Sequence, residues 1–443
     1  MAWLTLGLFC AGLLLCILLD FSVLYALGFG LLLFLLYGRY QRFTWKELFR
    51  MALDGVRTVK NILITFLLIG ILTALWRAAG TIAVIVSYAS VLIRPQVFLL
   101  MTFLLNCGVS VLMGTSFGTA ATMGVICATI GAALGMDIRV IGGAVLSGVM
   151  FGDRCSPIST SALLVAELTG TSVFDNIKRM LRTASVPFLV SAAVYAAVGL
   201  MSFRGGETPD LRALFGREFS LHWTALIPAA AVLLLSAFRV NVKLTMALSI
   251  LTAVPLCIVL QKTAPAELLR LAWAGFHTAD REVGDMLNGG GVVSMLRVLC
   301  IVCLSSSYSG IFHKTGLLDS IQHSIIRLAD KTTSFAAMVF TSILSAMIAC
   351  NQTLSVLLTK QLCEALKRDA SDYALDLEDS VIVIAPLIPW SIAGGVPLAT
   401  IGAPAGALLF ACYLYLLPLW RLFTSRQKPS FGNGSNQQKG VEP

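Results

Sequence analysis

Long apolar runs recur along the chain, each closed by turn-forming or basic residues, and their spacing sets the elements. Residues 2–37 are apolar except for Asp20, with no Lys or Arg before Arg39. That is nearly twice the roughly 20 residues of one bilayer crossing, so the stretch predicts two helices turning near Asp20. It has no basic start and no small-residue cleavage site, so a removed leader is not expected. Further spans are predicted at about 184–202, 222–238 and 243–260. Past Trp420 the chain turns polar, and from about 429 it is expected to be disordered.

Four segments interrupt the apolar pattern with Gly, Pro, Ser, Thr or Asn: 114–122, 152–161, 351–355 and 385–400. Unpaired backbone groups are costly in hydrocarbon, so a broken helix is tolerated there only under protein or water. The interruptions are related by an internal repeat. A shift of 236 positions lays Asp54-Gly55-Val56 on Gly290-Gly291-Val292, and residues 75–82 on 311–318. The same shift lays Gly114-Thr115-Ser116-Phe117-Gly118-Thr119 on Cys350-Asn351-Gln352-Thr353-Leu354-Ser355. It also brings 152–157 within a few residues of 388–391. The four islands thus form two matched pairs, the sequence pointer to a binding site at a repeat interface.

Composition excludes most other classes. Of 443 residues, 57% belong to the apolar set and 12% are charged, against about a quarter charged in soluble domains. A soluble enzyme, a nucleic-acid-binding module and a disordered chain are all ruled out. The net charge of +9 comes from basic residues at the ends of apolar runs, as the positive-inside bias produces. The clusters in 39–60, 178–182 and 239–243 place those segments in the cytoplasm, and Arg421, Arg426 and Lys428 place the tail there. The loop 203–220 then falls outside. The first repeat leaves the cytoplasmic side at about 55, and the second starts at about 290 after an external segment, so the halves are inverted, as in secondary transporters. No enzyme is expected: HExxH and the P-loop pattern are absent, and the 4 histidines are scattered. The 11 cysteines form no framework, and the Cys300/Cys303 pair reads as apolar packing.

The islands carry the candidate chemistry. Pro157 frees carbonyls, Ser156, Ser159, Thr160 and Ser161 offer hydroxyls, and Asp153 a carboxylate. Such oxygens suit Na+, while freed N–H groups at a half-helix start suit an anion. Asp153 either serves cargo or pairs with adjacent Arg154. Glu378 and Asp379 either cap the start of a helix or titrate. Asn351 and Gln352 either coordinate cargo or bond across helices. Glu167 is an intramembrane carboxylate or an interfacial one. The spacing Gly148-x-x-x-Gly152 reads as tight helix packing.

At these islands the chain resembles the NhaC-type sodium/proton antiporter family of the ion transporter superfamily. The resemblance rests on Gly114-Thr115-Ser116-Phe117-Gly118-Thr119-Ala120, Gly152-Asp153-Arg154-Cys155-Ser156-Pro157-Ile158-Ser159, and Leu377-Glu378-Asp379-Ser380 with Leu387-Ile388-Pro389-Trp390, and extends more weakly over about 45–420. It implies an inner-membrane antiporter with re-entrant hairpins and an elevator-like movement of one domain. Two departures remove acid from the inferred site. Thr160-Ser161-Ala162-Leu163 stands where the family usually has Asp-Thr-Thr-Asn, and Asn351 precedes Gln352 where the family often has Asp.

The combined expectation is an all-α polytopic membrane protein of two inverted repeats with broken helices. Its parts are an N-terminal hairpin and loop (1–54), a first repeat (55–202), connecting spans (203–289), a second repeat (290–420) and a tail (421–443). The expected function is exchange of Na+ or another small cation for H+; the alternative is ion-coupled exchange of a small organic acid or amino acid. Cargo binding is assigned to Thr115, Ser116, Thr119, Asp153, Ser156, Pro157, Ser159, Thr160, Asn351, Gln352, Asp379, Pro389 and Ser391. Proton coupling is assigned to Asp153, Glu167, Glu378 or Asp379. No cofactor or resident metal is expected beyond the transported ions. The partners are small cargo, the bilayer and, as an open expectation, a second copy of the chain.

Overall fold

The computed structural model describes residues 2–19, 21–92, 95–157, 159–202, 211–238, 240–315, 332–349, 351–366 and 369–425. Asp20, Ile158, Arg239, Cys350, residues 203–210 of the expected external loop and the tail from 426 lie outside them. Helices α1 (Ala2–Leu18) and α2 (Val23–Tyr40) form the N-terminal pair. The amphipathic α3 (Trp45–Thr58) follows, its start set by Thr44: the Glu47 N–H bonds to the Thr44 hydroxyl at 3.3 Å, and the Thr44 N–H to the Glu47 carboxylate at 2.8 Å. Next come α4 (Lys60–Ala78), α5 (Thr81–Leu92) and α6 (Pro95–Met113). After a break, the short α7 (Ser116–Thr119) runs through a π-helical turn (Ala120–Gly124) into α8 (Val125–Ala133). The first half closes with α9 (Ile138–Cys155), α10 (Thr160–Thr169) and α11 (Val173–Ser202).

The connecting part holds α12 (Leu211–Phe215), α13 (Ile227–Ala237), α14 (Val242–Val259), α15 (Pro265–Ala274) and α16 (Arg281–Leu287). The second half comprises α17 (Gly291–Thr315), α18 (Ser334–Ala349), α19 (Gln352–Leu362), α20 (Ala370–Asp379), α21 (Val381–Ile384), α22 (Ile392–Thr400) and α23 (Cys412–Thr424). Among the described residues the only extended pairing is a bridge between Phe276 and Gly289.

Four described helices are long and apolar enough to cross a bilayer: Pro95–Met113, Ser116–Ala133, Val173–Met201 and Gly291–Tyr308. Two helix pairs reach that length and apolarity only together, bent at a break as a broken span or a re-entrant loop is: Leu63–Ala78 with Thr81–Tyr88 by 64° and Ala370–Leu387 with Ile392–Thr400 by 53°. The protein is a multi-pass all-α membrane protein with broken helices. The 236-residue shift recurs in its element ends: α6 ends at Met113 and α18 at Ala349, and Thr115 and Asn351 are both extended residues opening the next helix.

Small residues set the closest helix crossings. A side chain at Gly152 of α9 would strike Ser110 and Val111 of α6, and one at Gly148 would meet the Phe103 carbonyl at 2.7 Å. Glycine there lets the two backbones approach, as the sequence spacing anticipates. Gly55 of α3 and Gly310 of α17 do the same across another crossing, facing the Ser306 and Met51 carbonyls. Around Tyr308 of α17, Phe9 and Phe34 stack edge-on with centroids 5.1–5.5 Å apart, joining the N-terminal pair to the second half.

Candidate functional site

The first island breaks at Gly114, whose φ of 63° is left-handed and suits glycine. Thr115 is then extended, and Ser116 starts the next helix. The second island breaks because α9 meets Pro157: Ser156 is extended, and Ser159 caps α10, accepting the N–H of Ser161 at 3.2 Å. This turn folds two hydroxyls back onto the buried Asp153. Ser159 Oγ donates to Oδ1 at 3.0 Å and Ser161 Oγ to Oδ2 at 3.1 Å. The Ser116 backbone N–H also faces the carboxylate. Asp153 is therefore solvated by serines from two islands, and Arg154 is not its partner.

Arg154, fully buried, turns the other way, into the second half. Its guanidinium ion-pairs with Asp379 and donates to the Glu378 carbonyl at 3.2 Å, the Met180 carbonyl at 3.2 Å, Thr183 Oγ1 at 3.0 Å and Tyr413 Oη at 3.3 Å. Arg421 of α23 sits 2.9 Å from the second Asp379 oxygen and 2.6 Å from Asp376. Glu378 and Asp379 thus end α20 and do not cap the start of a helix. The physical reason is charge: Asp379 has two arginine partners, so the macrodipole does not decide its place. Glu378 is different. It is fully buried, and neither carboxylate oxygen has a hydrogen-bond partner among the described residues. A buried carboxylate in that condition either holds a proton or faces a cation.

The remaining expected residues occupy distinct positions. Elements of the paired islands do meet: α7 packs on α22, and α10 on α19 and α20. Yet most of their polar atoms serve backbone groups, near in sequence or on a crossing helix. Ser156 Oγ donates to the Val111 carbonyl at 2.7 Å, and Thr119 Oγ1 to the Thr115 carbonyl at 2.9 Å. Asn351 caps α19 by accepting the Leu354 N–H at 2.8 Å, and Ser391 caps α22. Gln352 donates to the Ile382 carbonyl at 3.2 Å, bonding across helices. Pro157 and Pro389 are half-buried in their loops, whereas Thr160 and Glu167 are exposed and make no bond to Asp153 among the described residues. Sequence reasoning counted Ser161 among the island hydroxyls but left it out of the cargo assignment, and it missed Arg154 as a hub, Tyr413 beside it, and Thr183 and Arg421 at Asp379. A cation inside an apolar run was the available signal for Arg154.

A profile of the Na+/H+ antiporter family matches residues 1–172 and 148–419. The chain is 29% identical over 400 residues to the Na+/H+ antiporter NhaC of Alkalihalophilus pseudofirmus, covering 88% of this chain and 86% of the relative. It is 27% identical over 436 residues to the malate-2H+/Na+-lactate antiporter of Bacillus subtilis, covering 94% and 91%. It is 26% identical over 376 residues to the arginine/ornithine antiporter ArcD of Halobacterium salinarum, covering 82% and 77%. With the family profile spanning nearly the whole chain, and a serine-caged carboxylate at the break where the family motifs lie, this protein belongs to the Na+/H+ antiporter family.

Proposed function

We infer that this chain is a secondary antiporter, not an enzyme, and exchanges Na+ or another small cation for H+ across the membrane. The observation that carries the reading is Asp153, a buried carboxylate held by two serine hydroxyls and a backbone N–H at a helix break. When Na+ arrives, the Ser159 and Ser161 hydroxyls can rotate their protons away and turn lone pairs toward it, beside the carboxylate. A proton and Na+ compete for the same negative charge, which is the elementary requirement of exchange. Glu378 lies within electrostatic reach of Asp153 and is the second group able to hold the proton. Arg154 and Arg421 fix the neighbouring Asp379 as an ion-pair partner and leave it unsuited to release a proton in each cycle.

The islands bind in the reading as a pair of inverted halves, with the tail and basic loops in the cytoplasm of a cell inner membrane and transport needing no cofactor beyond Na+ and H+. Homodimerisation stays part of this proposal. Proteoliposomes carrying an internal pH dye test the function. Na+ added outside acid-loaded vesicles should alkalinise the lumen, and K+ at equal ionic strength should not. Absence of any Na+-driven proton movement by folded protein would overturn the reading.

A second reading has specific support. Two of the relatives are named for organic cargo, lactate and malate in one and arginine and ornithine in the other. Thr160 and Asn351 also leave the islands poorer in negative charge than the family pattern. In this reading the same scaffold couples ion movement to a small organic acid or amino acid. Counterflow of labelled lactate, malate, arginine and ornithine in the same vesicles decides it.

A further inference from the structure

We propose that a cleft around Arg77, separate from Asp153, binds the carboxylate of a small organic anion. The cleft has a volume of about 370 Å³, and Thr73, Arg77, Thr129, Asn288, Ser294 and Thr400 supply its polar wall. Arg77 ends α4 and is 8% exposed. It makes no ion pair among the described residues, and its Nε is buried without a hydrogen-bond acceptor. A buried guanidinium without a carboxylate is costly, and the cleft is where its missing counter-charge fits.

A second feature points the same way. The cleft is also lined by Gly289, Gly290 and the first turn of α17. That helix runs for 25 residues from Gly291, and with Ser294 and Met295 of its opening on the wall the positive end of its dipole lies beside the same space. The approach of this turn to Arg77 depends on glycine. Gly289, Gly290 and Gly291 all have positive φ, and a side chain carbon on Gly290 would lie 2.9 Å from Arg77 Nη1. Two independent sources of positive potential therefore converge on one polar cleft.

The ligand class follows from shape. A guanidinium fork presents two parallel N–H groups that match the two oxygens of a carboxylate, whereas a spherical ion meets both only through bent, convergent bonds. The volume leaves room for a few carbon atoms beyond it, and the hydroxyl and amide groups suit a polar substituent. The inference goes beyond cation exchange and uses the organic-anion reading only to choose probes. In the proposed orientation the cleft opens outward, and its far wall is the end of α22, the helix whose start is Ser391.

The test uses the full chain purified in detergent, in N-methylglucamine buffer free of other small anions, with L-lactate, acetate and chloride as separate titrants. Saturable carboxylate binding is expected, weakened about tenfold or more by Arg77→Gln and less by Arg77→Lys. In wild-type protein, phenylglyoxal modification of Arg77, read by mass spectrometry, should slow in saturating lactate. This second readout stands even if Arg77→Gln fails to fold. Unchanged modification, equal binding by folded Arg77→Gln, or chloride binding tighter than both carboxylates would each overturn the proposal. Na+-driven proton movement measured in isethionate medium reports on Asp153 independently, so failure of the cleft and failure of cation exchange are distinguishable.

Discussion

Neighbouring residues at the end of α9 divide two tasks. Asp153 points to serines of its own half, and Arg154 to acids of the other half. If Asp153 is the exchanged charge, Asp153→Asn should abolish Na+-driven proton movement while the protein elutes and unfolds normally. Intact transport with an unchanged pH profile would make the carboxylate structural. Glu378→Gln should be tolerated structurally, since no hydrogen bond is lost, but should alter the pH dependence of exchange. Arg154 is expected to behave oppositely. Removing it by Arg154→Met leaves Asp379 and four acceptors without their donor, which should cost about 3–5 kcal/mol, read by thermal unfolding. The double variant with Asp379→Leu should regain part of that loss.

At the scale of elements, helix ends and crossings decide where chemistry is placed. Gly152 permits α9 to press against Ser110 and Val111 of α6, so Gly152→Ala should destabilise by about 1–3 kcal/mol through overpacking. It should also weaken Na+ affinity by moving the adjacent Asp153. Normal stability and exchange together would show that α6 and α9 separate at no cost. The start of α3, outside the spanning segments, supplies a pH-dependent element. Bonds from the Thr44 N–H and hydroxyl hold the fully exposed Glu47 carboxyl below its ordinary value. A lowered folded-state value means this contribution is complete above the ordinary carboxylate range and is lost as pH falls through the lowered one. Protection of the first-turn amides of α3 against hydrogen exchange, taken relative to the intrinsic rate at each pH, should accordingly fall in acid, and Thr44→Ala should flatten that response.

For the whole molecule, the strongest consequence of the charge pattern is topology. A cysteine replacing Arg50 should react only with reagent reaching the cytoplasmic face, and one replacing Thr208 only from outside, in a background cleared of reactive thiols. The reverse labelling would invert the scheme and move the Arg77 cleft to the other side. The two halves are not packed as separate bodies. Val145 of α9 and Val396 of α22 share one buried core, and Val165 of α10 packs with Leu377 of α20 in another.

Hydropathy, charge and breakers are local properties of the chain, and what they govern was legible in it. The apolar runs anticipated the N-terminal pair, the spans near 184–202 and 243–260, and the breaks at Thr115, Pro157 and Asn351, because a backbone in hydrocarbon must either stay helical or be covered. The spacing of the first two islands led to Asp153 and Ser159 for the same reason. Partner choice was not legible. Arg154 reaches Asp379 across 225 positions, and Glu167, set in an apolar run, is exposed, whereas Glu378, flanked in sequence by Asp376 and Asp379, is buried. Which acid is neutralised by an arginine, which is caged by serines and which is left alone depends on helices crossing at glycine contacts. Only the packed tertiary structure brings those distant charges within reach of one another.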